Sequence, residues 1–307
     1  MVEILLATYN GEKYLKQQLD SLLSQTFSEY RILIRDDGST DATISILEEY
    51  KKIYSDKIIL VNDSEKCGSA TSNFMQLAKV ATADYIMYCD QDDVWFPEKI
   101  ERTMNKMREL EKRYGKEMPI LVFATYQSVN SVLKVIGDYE RGSQIEKKNT
   151  DLNTLIVQNC VTGCLMMVNR ALNEKMGDYH KDILMHDWWA ALIASSMGII
   201  CHIPDILMFY RQHDNNVVGS VNVKSFKYRI NKICDKNTKK MVYRYRDQMQ
   251  LFYSRYNRYL NAEKEQIVSN FISIYSQKSK FVRIKKLISG KYLKSDFIRI
   301  LGQIWYI

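Results

Sequence analysis

The chain has 307 residues, 46% hydrophobic and 26% charged. This is enough for one large globular domain, or a medium one with an appendage, and it excludes disordered, collagen-like and coiled-coil compositions. The formal net charge of +8 averages two unlike parts: residues 1–220 carry 24 Lys+Arg against 31 Asp+Glu, whereas residues 221–307 carry 20 against 5. A reversal from −7 to +15 at one point marks a domain boundary, with an acidic body at 1–220 and a basic region at 221–307.

Val2–Ala7 is a short apolar run that predicts a buried strand, followed by the loop Thr8-Tyr9-Asn10-Gly11. Leu15, Leu19, Leu22 and Leu23 recur at helical spacing. Tyr30–Ile34 predicts a second strand running into Arg35-Asp36-Asp37-Gly38-Ser39, and Thr40 or Asp41 is placed to cap the helix after it. Strands follow at Lys57–Val61 and Tyr85–Cys89, with a helix over Ser72–Thr82 between them. Further strands are predicted at Ile120–Ala124, Cys164–Val168 and Ile206–Tyr210, and a helix at Asp187–Met197. The alternation predicts an α/β fold whose parallel sheet is covered on both faces by helices. In such sheets ligands bind at the carboxyl ends of strands, where the polar clusters Thr8–Asn10, Asp36–Ser39, Asn62–Gly68 and Asp90–Asp93 fall. Beyond Ser220 apolar and aromatic residues recur among basic ones, which predicts amphipathic helices.

The six cysteines (Cys67, Cys89, Cys160, Cys164, Cys201, Cys234) form no C-x-x-C pair, which predicts free thiols in a reducing compartment. Met1-Val2-Glu3 leads directly into a strand, so no signal peptide is expected. The uncharged run Trp188–Pro204 is short of a membrane span and reads as a buried helix and strand. A cytoplasmic protein is expected, peripheral to the inner face of the membrane if the basic region docks there.

The chemistry concentrates at the strand ends. Asp90 and Asp92, two apart just past a strand, can converge on one divalent cation, for which hard oxygen ligands suit Mg²⁺ or Mn²⁺. The plain alternative is a surface acidic turn. Asp36 and Asp37 can accept hydrogen bonds from a base or a ribose, or can shape a capping turn. Thr8-Tyr9-Asn10 offers a ring for base stacking, or simply turn chemistry. His213, taken alone, reads as a structural histidine.

These residues together resemble a known family. The runs Ala7-Thr8-Tyr9-Asn10-Gly11-Glu12, Gln25-Thr26-Phe27 and Asp36-Asp37-Gly38-Ser39-Thr40-Asp41 are similar to the start of inverting family-2 glycosyltransferases, which have the GT-A fold. Gly68 with Asn73-Phe74, Asp90-Gln91-Asp92-Asp93-Val94-Trp95, Val161-Thr162-Gly163-Cys164, His186-Asp187-Trp188-Trp189 and Tyr210-Arg211-Gln212-His213 extend the match over about residues 2–219. The tryptophan pair and Tyr-Arg-Gln-His resemble bacterial rhamnosyltransferase-like members of polysaccharide and glycoprotein glycosylation clusters.

The resemblance implies a metal-dependent enzyme with Mn²⁺ or Mg²⁺ and a dTDP- or UDP-linked donor of rhamnose, glucose or galactose. The acceptor would be a glycan, lipid-linked or glycoprotein. Tyr9 would stack on the base beside Thr8, Asn10 and Glu12, and Asp37 or Asp36 would read the base edge. Ser39, Gly68, Asn73, Asp90, Gln91 and Arg211 complete the implied nucleotide-sugar contacts. Asp92, Asp90 and His213 are the implied metal ligands, and Asp187 the catalytic base. Trp95, Gly163, His186, Trp188 and Trp189 would line the sugar or acceptor pocket.

Two other functions compete. A sugar-1-phosphate nucleotidyltransferase would need a glycine-rich loop after the first strand, where only Gly11 stands. A nucleic-acid-binding protein would use the basic region, but the chain lacks stacking strands, zinc ligands or a helix-turn-helix pattern, so no nucleic acid is expected as a partner. The basic helices are left with an anionic membrane surface, the acidic body or a second subunit as partners.

Overall fold

Leu- and Ile-rich runs buried on both faces can only be strands in the middle of a covered sheet, and the first half of the chain alternates such runs with one-sided helices. The computed structural model describes residues 1–62, 66–136, 150–213 and 236–307. The strands are β1 (Val2–Thr8), β2 (Tyr30–Asp36), β3 (Ile58–Leu60), β4 (Tyr85–Cys89), β5 (Val94–Trp95), β6 (Ile120–Val129), β7 (Met166–Asn169) and β8 (Ile199–Arg211). They form one sheet in the order β3-β2-β1-β4-β7-β6-β8-β5. β1 is parallel to β2 and β4, β2 to β3, and β6 to β8. β7 and β5 run against their neighbours, so the sheet is mostly rather than wholly parallel.

The body's helices are α1 (Leu15–Leu23), α2 (Thr43–Ile53), α3 (Ala70–Val80), α4 (Lys99–Tyr114), α5 (Leu152–Leu155), α6 (Arg170–Met176) and α7 (His186–Met197). α8 (Lys236–Tyr256), α9 (Ala262–Ile274), α10 (Lys280–Ser289) and α11 (Phe297–Tyr306) form the basic C-terminal region. The expected strand at Ile206–Tyr210 is the second half of the longer β8, and β7 starts after Cys164 because Gly163–Leu165 forms a 3₁₀ turn. α4 is missing from the sequence reading, although its buried residues Ile100, Thr103, Met104, Met107 and Leu110 keep helical spacing. The run Trp188–Pro204 supplies α7 and the start of β8. Among the described residues no helix is long and apolar enough to cross a membrane.

Two hydrophobic clusters pack on the sheet. One joins α3 and α7 to Val242, Tyr245, Met249, Phe252 and Tyr256 of α8, and to Val268, Phe271 and Leu287. The basic helices therefore dock on the acidic body through apolar packing. The ring of Trp188 lies 5.6 Å from that of Tyr245, and Trp189 lies 5.6 Å from Phe252 and 5.7 Å from Tyr256. The expected boundary at 220 lies outside the described residues, as does Cys234; none of the five described cysteines is in a disulfide.

Candidate active site

The carboxyl end of β1 is a built loop. Thr8 is buried and donates to Asp36 Oδ1 at 2.8 Å. Gln91 clamps the backbone of Tyr9 from both sides, accepting from its N–H and donating to its carbonyl, each at 2.9 Å. The Tyr9 ring is left 57% exposed, presented rather than packed. Asn10 adopts φ 48°; its N–H donates to Ser39 Oγ and its Oδ1 accepts from the Thr40 N–H, both at 2.8 Å. Glu12 accepts from Ala42 N–H.

The two aspartates after β2 hold different loops. Asp36 Oδ2 accepts from the N–H groups of Gly38 and Ser39, and Oδ1 from Ser39 Oγ. Asp37 accepts from the N–H groups of Cys67 and Gly68 at 2.5 and 2.8 Å. Beneath it lies Arg35, 1% exposed, with Nη1 at 3.4 Å from Asp37 Oδ1 and 3.0 Å from Asn73 Oδ1. Residues 63–65 of the expected Asn62–Gly68 cluster lie outside the described residues.

The loop after β4 carries the acids. Asp92 Oδ2 lies 2.9 Å from His213 Nε2. Burial raises the Asp90 carboxyl well above its usual range, and the nearby charge of Asp92 adds to the rise. Asp93 is buried and takes the Arg211 N–H on Oδ1 at 2.9 Å. Burial pushes Asp93 up as well. Ligand atoms of Asp90, Asp93 and Cys164 lie within 4.8 Å of one another. The donor chemistry separates these groups. Burial raises the Cys164 thiol well above its usual value, and a protonated thiol is a poor partner for a hard cation. The implied metal set Asp90, Asp92 and His213 is not gathered into one cluster among the described residues; within it only Asp92 and His213 are at hydrogen-bond distance.

Asp187 stands in the first turn of α7. Its Oδ2 accepts from Gly163 N–H at 3.1 Å and its Oδ1 from Trp188 N–H at 2.6 Å. Burial raises its pKa to about 7, against those two hydrogen bonds and one from Asn159, which lower it. Its charge acts on the Asp90 carboxyl and helps to raise it.

Several implied contacts are corrected by burial. Arg211 is 1% exposed and spends its guanidinium on the Asp92 carbonyl, the Ser131 carbonyl and Gln17 Oε1, so it clamps the acidic loop to α1 instead of offering itself to a diphosphate. Asn73 is 2% exposed and is used by Arg35. Trp188 and Trp189 are core residues whose indole N–H groups donate to the Leu155 and Met176 carbonyls; neither is a sugar wall. Trp95 is buried under the Lys99 ammonium, 3.4 Å from its ring. His186 is buried between Phe74 and Tyr88, with ring centroids at 4.2 and 5.0 Å, and burial lowers its pKa to about 3, so it is neutral. Gly163 lies against His186 and Asp187: a Cβ there would come within 2.7 Å of His186 Nε2, and its N–H donates to Asp187.

Four supporting residues have no role that the sequence alone assigns: Arg35, Asp93, Lys99 and Asn159. Lys99, fully buried, donates to the Cys164 carbonyl at 2.6 Å, and burial lowers its pKa. The available signal was a charged residue inside an apolar pattern: Arg35 closes an apolar strand, and Lys99 lies one residue before Ile100 on the buried face of α4.

A mostly parallel sheet gathers at its carboxyl edge an exposed aromatic loop, an acidic turn and a buried carboxylate of raised pKa, and the solved structures that it resembles are glycosyltransferases of GT-A-like fold. The sequence model described as glycosyl transferase family 2 matches residues 3–177, and the chain belongs to that family. It is 30% identical over 231 residues to dTDP-rhamnosyl transferase RfbG of Shigella flexneri, covering 70% of this chain and 74% of that one. It is 25% identical over 219 residues to the uncharacterized glycosyltransferase RT0329 of Rickettsia typhi, covering 70% of this chain and 64% of that one. Staphylococcus aureus TarS 1–349 in complex with UDP-GlcNAc superposes over 99% of this chain and 89% of that chain, with TM-score 0.56 and 14% identity. The mannosyltransferase PcManGT of Pyrobaculum calidifontis, in complex with GDP-Man and Mn²⁺, superposes over 98% of this chain and 77% of that chain, with TM-score 0.56 and 15% identity. At such identities the two structures speak to the fold alone. Neither the nucleotidyltransferase nor the nucleic-acid reading is favoured.

Proposed function

We propose that the chain is a metal-dependent inverting glycosyltransferase that moves rhamnose, glucose or galactose from a dTDP- or UDP-linked donor to a glycan, lipid-linked or glycoprotein acceptor in bacterial surface polysaccharide or glycoprotein synthesis. The observation that carries it is the pairing of Asp187, a carboxylate of pKa about 7, with the Asp90–Asp92 turn at one sheet edge. The 30% identical relative named a dTDP-rhamnosyl transferase weights the donor toward dTDP-rhamnose, and the Mn²⁺ in the complex of the Pyrobaculum mannosyltransferase supports a divalent cation.

In this reading Tyr9 stacks on the base and the backbone around Asp36 and Asp37 shapes its slot. Asp90, Asp92 and His213 hold Mn²⁺ or Mg²⁺, which when bound stabilises charge on the departing diphosphate. Asp187 takes the proton of the acceptor hydroxyl as that oxygen attacks the anomeric carbon from the face opposite the diphosphate. One carbon–oxygen bond forms as the other breaks, the nucleoside diphosphate leaves, and the anomeric configuration inverts. Nucleotide sugars put this reaction in the cytoplasm, and a lipid-linked acceptor would put it at the inner face of the membrane.

A thermal-shift panel of dTDP-rhamnose, UDP-glucose and UDP-galactose with Mn²⁺ or Mg²⁺ tests the donor, because a ligand that binds only the folded state raises Tm by mass action. One donor should stabilise the protein in the presence of metal and support transfer with inversion. A panel without any metal-dependent shift refutes the reading.

A further inference from the structure

α11 presents two unlike faces. Gly302 and Gln303 are buried, Gln303 Nε2 donates to the Tyr292 carbonyl at 2.8 Å, and Asp296 caps the first turn through the N–H groups of Ile298 and Arg299. On the other side Phe297, Leu301 and Trp305 recur every four residues and are 72, 43 and 65% exposed. On α10, Phe281 and Ile288 are likewise exposed, at 75 and 50%. Lys280 joins the two helices: its ammonium donates to the Trp305 carbonyl at 2.8 Å and lies 5.4 Å from the Trp305 ring. Isolated exposed apolar residues are ordinary, but two phenylalanines, a tryptophan, a leucine and an isoleucine within thirty residues are not.

The charge around them has one sign. Residues 278–307 contain eight Lys+Arg and one acid, Asp296, which is spent as the cap. Lys278, Lys280, Lys285, Lys291 and Arg299 are exposed. Aromatic and leucine side chains standing among cations suit an anionic lipid surface, where rings enter the headgroup layer and ammonium groups meet phosphate. We infer that the outer face of α10 and α11 is a docking surface for an anionic phospholipid bilayer, with Phe297, Leu301 and Trp305 as the inserting stripe. This deepens the membrane placement in the proposed function, and rests on that reading only for which membrane is met.

Trp305 provides its own reporter, because Trp95, Trp188 and Trp189 are buried. The full chain is sedimented with vesicles of phosphatidylglycerol and phosphatidylcholine, and with phosphatidylcholine alone. Binding is expected to the anionic vesicles, to weaken with salt, and to shift tryptophan emission to the blue. The double variant F297A/W305A should bind at least about tenfold more weakly and lose the shift, while its transfer to a soluble acceptor stays unchanged. Wild-type protein that ignores anionic vesicles overturns the inference, as does vesicle binding that the variant leaves intact. So does a variant whose only change is the loss of a dimer in sedimentation, which would assign the face to a second copy. Because the vesicle readout needs no turnover, a failure of the donor panel leaves it standing.

Discussion

Asp92 Oδ2 and His213 Nε2 lie 2.9 Å apart, although 121 residues separate them in the chain. Arg211 makes the approach rigid: its backbone N–H binds Asp93 and its Nε binds the Asp92 carbonyl, so the end of β8 is laid against the acidic turn. The His213 ring stacks on Tyr14 at 4.9 Å. The contact is a hydrogen bond or ion pair, and in the proposed reading a cation would take its place between the two donors. His213→Ala is expected to weaken Mn²⁺-dependent donor binding about tenfold or more, and Asp92→Ala to abolish it, by calorimetry with and without metal. Equal donor affinity in wild type and both variants would remove the pair from the metal site.

In the proposed reading Asp187 sets the pH dependence. The base must be ionised to accept a proton, and burial raises its pKa to about 7. Turnover should therefore rise about tenfold per pH unit below that value and level off above it. The same shift acts on stability in the opposite direction. A carboxyl harder to ionise when folded than when unfolded makes the fold less stable as pH rises from about 4 to about 7. Asp187→Asn should lower turnover by about 10² to 10⁴ and keep donor affinity. A flat rate profile across this range, or an active Asn variant, would take the base role away from Asp187.

How much of this could be read from the sequence depends on whether neighbours in space are neighbours in the chain. Asp36–Ser39 and Asp90–Asp93 are contiguous runs at strand ends, so sequence alone locates them at the sheet edge. The orientation of Trp188 and Trp189 could not be read. Ten of the twelve residues of α7 are buried, so no apolar stripe marks which side faces the site and which faces α8. The same holds for Arg211, whose residue type suits a phosphate but whose partners, Gln17 on α1 and Ser131 in a turn, are distant in the chain. Lys99 was hidden because a buried lysine contradicts the rule by which α4 would be drawn.

Gly163 links the base to the rest of the site, and the side chain it lacks can be supplied. A Cβ there would lie 2.7 Å from His186 Nε2 and 3.5 Å from Asp187 Cβ. The His186 ring is held between Phe74 and Tyr88 and has little room to yield. Gly163→Ala should shift the turn that donates to Asp187 and cut turnover about tenfold to a hundredfold, with donor affinity retained, since small displacements of a catalytic group are costly. Unchanged kcat would show that the 163 turn does not position the base.

Trp189 distinguishes core from pocket. It is fully buried, its indole N–H donates to the Met176 carbonyl at 2.9 Å, and its ring meets Phe252 and Tyr256 of α8. Trp189→Ala would open a cavity at the seam between body and basic helices and leave the Met176 carbonyl with only the long 3.5 Å hydrogen bond from Tyr256. A loss of about 3–5 kcal/mol is expected, read as a lower urea midpoint and a lower Tm. The loss should occur with or without nucleotide sugar, because the ring touches protein on the side of α8. A variant with wild-type Tm and a raised KM for donor or acceptor would instead return Trp189 to the sugar pocket.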